Sequence, residues 1–139
     1  MIRKLIKEEY NLVIELARSL KSGLATSDFS DNDEILVYEE NSLICGFICY
    51  SRLYETIDIL YIVVDPKYRR KGIATRLIEE LYKIDGIEHI MLEVSKENTG
   101  AIEFYKHLGF NVIREIKNYY ESIDGLAMER VIKWKMYIF

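Results

Sequence analysis

The sequence predicts an α/β protein of the α+β type, a mixed β-sheet with helices on its faces. Two observations carry this. Apolar residues recur at helical spacing over Lys7–Lys21 and Gly72–Ile84, whereas β-branched or alternating apolar runs fill much of the remainder. The elements also follow the order strand–helix, three strands, helix–strand–helix, two strands. That order puts hairpins at both ends of an otherwise alternating pattern, as a mixed sheet requires.

Met1 to Ile6 reads as a short first strand. Leu12, Val13, Leu16, Ala17 and Leu20 form one face of the helix that follows. Ser22 to Asp33 is small, polar and acidic, and reads as a loop. Glu34–Tyr38 and Leu43–Leu53 make a hairpin about Glu39–Ser42, without an Asn-Gly turn signal. Ile57 to Val64 is apolar on both faces, as expected of a central strand, and Asp65-Pro66 stops it. Ile73, Leu77, Ile78, Leu81 and Tyr82 line the second helix, which Asp85-Gly86 ends. Ile87 to Ser95 alternates as a strand. Asn98 is the expected N-cap of a helix running to Leu108, with Gly109 as its left-handed terminator. Phe110–Lys117 and Leu126–Ile138 read as two closing strands.

The 139 residues predict a single domain, 1–139, large enough to bury a core without a metal or disulfide. Nineteen basic against 23 acidic residues give a net charge of −4, which argues against a general nucleic-acid binder. No apolar run approaches the ~20 residues of a membrane helix, and the first ten residues carry charge too early for a signal peptide. Cys45 and Cys49 lie four apart on one strand, ~13 Å at ~3.3 Å per residue and beyond disulfide reach. They are expected to be reduced core residues of a cytoplasmic protein. His89 and His107 lack metal-ligand spacing, so no metal is expected. The absence of a G-x-S-x-G elbow sets serine hydrolases aside.

The most informative stretch runs from Ile62-Val63-Val64 through Asp65-Pro66-Lys67-Tyr68 to Arg69-Arg70-Lys71-Gly72-Ile73-Ala74-Thr75. A buried strand ends, a basic loop follows and a helix opens. Unpaired first-turn amides, the positive end of the helix dipole and three basic side chains make an anion site. The alternative is an ordinary helix start beside a solvated basic run. Neither a Walker loop nor a dinucleotide fingerprint is present.

The segment Arg69-x-x-Gly72-x-Ala74, preceded by Val64-Asp65-Pro66-x-Tyr68, closely resembles the acyl-CoA signature R/Q-x-x-G-x-G/A of the GNAT superfamily of N-acetyltransferases. Leu92-Glu93-Val94, Asn98 and Ala101-Ile102-x-Phe104-Tyr105-x-x-x-Gly109-Phe110 resemble its second signature. Asn118-Tyr119-Tyr120 and Asp124-Gly125-Leu126-Ala127-Met128 are similar to the ending of ribosomal-protein-alanine N-acetyltransferases. The resemblance covers roughly residues 43–130. Ala74 stands where the family often has glycine and is an accepted variant; the departure is in residues 22–33, which lack a tryptophan-bearing loop.

The resemblance implies a mostly antiparallel sheet with a splayed parallel pair, helices on both faces and acetyl-CoA as cosubstrate in the gap. Backbone groups of Ile62, Val63 and Val64 would meet the acyl and pantetheine amides. Arg69, Arg70, Lys71, Gly72, Ile73, Ala74 and Thr75 would wrap the pyrophosphate, and Asn98 would touch the CoA arm. Direct transfer to an amine needs a base for the ammonium and an acid for the leaving thiolate. Glu93 is the base candidate, on the expectation that mid-strand burial desolvates it; the alternative is a solvent-facing glutamate. Tyr105 is the acid candidate, with a core tyrosine as the alternative. Tyr119 and Tyr120, expected between the last two strands, are candidates for holding the acceptor; aromatic packing at a sheet corner is the alternative.

The function expected is acetyl transfer to a peptide or protein N-terminal amine. The alternatives are a small amine, such as a polyamine, amino acid or antibiotic, and a non-catalytic acyl-CoA sensor. Asp28, Asp31, Asp33 and Glu34 would favour a cationic acceptor, or else form a solvated acidic loop. Alternating Leu126, Met128, Arg130, Ile132, Trp134, Met136 and Ile138 predict a long last strand that supports a homodimer.

Overall fold

A computed structural model describes residues 1–20, 30 and 32–132. Asp28, Asp31, Trp134, Met136 and Ile138, which carried the acceptor and dimer expectations, lie outside the described residues. The strands are β1 (Ile2–Lys4), β2 (Glu34–Glu40), β3 (Leu43–Leu53), β4 (Thr56–Val64), β5 (His89–Ser95), β6 (Asn111–Tyr120) and β7 (Ile123–Val131). The helices are α1 (Tyr10–Leu20), α2 (Ile73–Tyr82) and α3 (Thr99–His107). The seven strands are ordered β1-β2-β3-β4-β5-β7-β6. Four recorded pairings are antiparallel, and β4 with β5 is parallel. None of the described helices is long and apolar enough to cross a membrane.

The backbone groups into two compact units, Met1–Ser51 with Leu60–Ile84, and Arg52–Ile59 with Asp85–Phe139. In the first, Val13 and Ala17 of α1 pack on Ile35, Val37, Phe47 and Cys49. Alternation along β2 and β3 turns Tyr38 and Gly46 to the opposite face. There Arg76 Nη1 donates to the Tyr38 hydroxyl at 2.9 Å, and Ile73 lies over Gly46. The two helices of this unit therefore cover opposite faces of the β2–β3 hairpin. The hairpin turn uses Asn41 and Ser42, both left-handed at φ 52° and 65°, so the expected hairpin forms without glycine.

In the second unit, Thr56, Ile57 and Asp58 pair in parallel with His89, Ile90 and Met91. β7 pairs with β5 on one side and β6 on the other. Asn98 caps α3, its Oδ1 accepting from Ala101 N at 3.2 Å, and Gly109 leaves the helix at φ 92°. Both local expectations hold.

Of the boundaries that differ from expectation, two bear on the site. Tyr119 and Tyr120 are the last residues of β6, not part of a connecting loop. Asn118 and Glu121 take left-handed φ values of 52° and 53°, so β6 bulges and reaches Tyr120 before it turns. The last strand starts at Ile123, three residues early, because Ile123 pairs back to Tyr120; Ile132 is already outside it.

Candidate functional site

In the first unit, β4 delivers Ile62, Val63 and Val64 to the basic loop. Asp65 N donates to Cys45 O at 2.8 Å, and the Asp65 carboxylate accepts from Lys67 N at 2.9 Å. This caps a short 3-10 turn over Pro66–Tyr68. Arg69 is extended, Arg70 is left-handed at φ 66°, and Gly72 is left-handed at φ 75° as the N-cap of α2. Gly72 thus precedes the helix instead of opening it. A Cβ placed on Gly72 would meet nothing within 4 Å, so its dihedral, not crowding, calls for glycine.

The first bond of α2 runs from Arg76 N to Gly72 O at 3.0 Å. The amides from Gly72 to Thr75 therefore lack helical partners and lie at the positive end of the dipole. Arg69, Arg70 and Lys71 are exposed around them. Lys71 Nζ is 4.0 Å from the Glu40 carboxylate and 5.2 Å from the Tyr68 ring centroid. This open, basic, amide-lined turn fits a polyphosphate group.

Behind the loop, both cysteines are buried and free. Burial pushes the Cys45 thiol up and the Cys49 thiol to about 12. Thiols held protonated in this way are poorly placed for redox exchange.

In the second unit, Tyr105 projects from α3 and is nearly buried. Its ring meets Phe104 at 5.4 Å and Phe110 edge-on at 5.7 Å between centroids. Burial, and then the neighbouring Tyr119, raise the Tyr105 phenol above its ordinary value. Tyr119 is itself raised by burial and then by Glu93. Tyr119 thus lies within electrostatic reach of both Glu93 and Tyr105. Tyr120 is 64% exposed at the strand end.

Glu93 corrects an expectation. Its side chain is 52% exposed, so the mid-strand burial expected of it does not form. The cause lies in the pairing. Ala127 of β7 is opposite both Glu93 of β5 and Arg114 of β6, so all three project on one face. The short alanine covers neither neighbour. Arg114 reaches over it to place Nη2 3.9 Å from Glu93 Oε2.

Two residues on from Glu93, Ser95 pairs with Gly125, and the Tyr119 ring lies over Gly125. The Asp124 carboxylate holds this bulge by accepting from Asn118 N at 3.1 Å and Lys117 Nζ at 3.3 Å. Gly125 and Ala127 are therefore a floor of small residues beneath Tyr119 and Arg114. The sequence displayed that alternation without revealing its use. Arg114 carried no signal at all. Asn98 spends its Oδ1 on the α3 cap.

The family model described as "Acetyltransferase (GNAT) family" matches residues 2–110. A [ribosomal protein bS18]-alanine N-acetyltransferase of Haemophilus ducreyi is 28% identical over 95% of this chain and 97% of its own length. The crystal structure of the ribosomal-protein-S18-alanine N-acetyltransferase from Escherichia coli has the same fold. It superposes with a TM-score of 0.87 at 22% identity, over 100% of this chain and 98% of that one. Arabidopsis thaliana NAA60 in complex with acetyl-CoA also shares the fold, with a TM-score of 0.80 at 19% identity over 95% and 98% of the two chains.

Proposed function

Because this chain belongs to the GNAT acetyltransferase family and is an N-acetyltransferase, we propose that it uses acetyl-CoA to acetylate the N-terminal amine of a peptide or protein. The observation that carries the acceptor reading is the Tyr119 ring held over Gly125, two residues along β7 from the Ala127 that pairs with Glu93, with Tyr120 exposed at the end of β6. The near-full-length relative from Haemophilus ducreyi, named as a [ribosomal protein bS18]-alanine N-acetyltransferase, supports a protein acceptor.

When bound, acetyl-CoA supplies the acyl group as a thioester. The amides of Gly72, Ile73, Ala74 and Thr75, with Arg69, Arg70 and Lys71, would bind its pyrophosphate, and the backbone of Ile62, Val63 and Val64 would orient its amide arm. Asn98 would offer acetyl-CoA what its capping bond leaves over.

The acceptor amine arrives protonated at neutral pH, since α-amino groups titrate near ~7.7–8.0. Glu93 takes that proton through a water molecule, which its exposure admits. The freed amine would then form the N–C bond as the C–S bond breaks, and the second proton it sheds would replace the one that Tyr105 gives up. Tyr105 holds a proton at Oη, which burial keeps in place, and gives it to the leaving sulfur. Tyr119 and Tyr120 position the acceptor backbone.

The test is CoA release from acetyl-CoA with three acceptors: a lysine-free peptide with a free N-terminus, a blocked peptide with one internal lysine, and spermidine. Turnover of the first alone is expected. Turnover of spermidine with neither peptide would replace this reading with the small-amine one.

A further inference from the structure

Glu93, Ala127 and Arg114 lie side by side across β5, β7 and β6. The side chains of Arg114 and Glu93 are 59% and 52% exposed. Water and salt screen so open an ion pair, and it adds little to stability. A second carboxylate on this face, Glu129, has its Oε2 3.2 Å from His89 Nδ1. The guanidinium is thus held, in the open, beside the carboxylate assigned above to the acceptor amine.

An approaching ammonium brings a second cation to a carboxylate that already faces one. If it takes Glu93, Arg114 loses its partner and repels the newcomer. An acceptor that carries its own carboxylate near the amine relieves this, because the released guanidinium can take it in a forked contact. On a peptide, the second residue is ~3.8 Å from the first, Cα to Cα, which is within that reach.

We infer that Arg114 is a specificity-determining residue, selecting peptide amines whose second residue is acidic over those whose second residue is basic. This rests on the assignment of Glu93 to the acceptor amine.

The experiment measures kcat and KM for two N-terminally free, lysine-free peptides that differ only in Glu or Arg at position two. The wild type, Arg114→Lys, Arg114→Gln and Arg114→Glu are compared. The wild type is expected to favour the glutamate peptide by about fivefold, expressed in KM, the scale of an exposed charge pair. Arg114→Lys should keep the preference, Arg114→Gln should bring the ratio near one, and Arg114→Glu should invert it. The wild-type preference should shrink as salt is raised to ~1 M, where the screening length falls to ~3 Å.

A ratio unchanged across the four proteins, or a wild-type preference for arginine, overturns the inference while leaving the N-terminal acceptor in place. Turnover of neither peptide overturns the N-terminal reading, and this inference with it.

Discussion

The ring of Tyr119 fills the space that a side chain on residue 125 would need. A Cβ built on Gly125 would collide with Tyr119 Cγ and stand 2.7 Å from its Cβ. These atoms are at the root of the side chain, so a rotamer change at the tip cannot relieve the clash. Gly125→Ala should therefore push Tyr119 off the sheet, at a cost of about 1–3 kcal/mol. Chemical denaturation checks the stability, and KM for a peptide acceptor should rise more than kcat falls.

Tyr105→Phe conserves the ring that packs on Phe104 and Phe110 and removes only the hydroxyl. The melting temperature should change little, while kcat drops by about 10²–10⁴-fold, the usual worth of a positioned acid. In the wild type, burial raises this phenol above its ordinary value of 10.0. Its deprotonation should therefore not limit kcat below that pH. An alkaline fall in kcat below it that Tyr105→Phe abolishes would contradict the acid role.

Glu93→Gln removes a proton acceptor whose need depends on pH. As pH rises from about 7 to about 9, an α-amine passes its own pKa of ~7.7–8.0 and frees itself of the proton. The defect in kcat/KM on an N-terminal acceptor should shrink over that interval. A defect of constant size across the pH profile would remove Glu93 from the base role.

Acid stability should report on Glu9. Hydrogen bonds from the Arg3 guanidinium and from Ile6 N hold its carboxyl at about 2, against an ordinary 4.5. A depressed folded value means the contribution is complete above the unfolded pKa. It is lost as pH falls from about 4.5 through about 2. Glu9→Gln should lower stability at neutral pH and flatten the loss across that acid window, as followed by urea unfolding at stepped pH.

The helix ends were legible because capping is local. Asn98 caps a backbone amide three residues away, and Gly109 turns the chain within its own dihedrals. The basic turn at Arg69–Gly72 was legible for the same reason. The β2–β3 turn was harder to read, since Asn41 and Ser42 adopt left-handed values that glycine usually signals. The end of β6 was misplaced because a bulge let the strand continue past Asn118. That bulge depends on Asp124, across the turn.

The sequence by itself determined the order of elements, the basic turn before α2 and the identity of Glu93 and Tyr105 as candidates, since periodicity, caps and motifs are set by near neighbours along the chain. Only the tertiary structure decided what surrounds Glu93. β7, the last strand in sequence, inserts between β5 and β6. Ala127 and Gly125 thereby come to floor the row that Arg114 and Tyr119 overhang. A side chain's exposure follows from the size of residues on strands paired to it, and that pairing joins positions more than thirty residues apart.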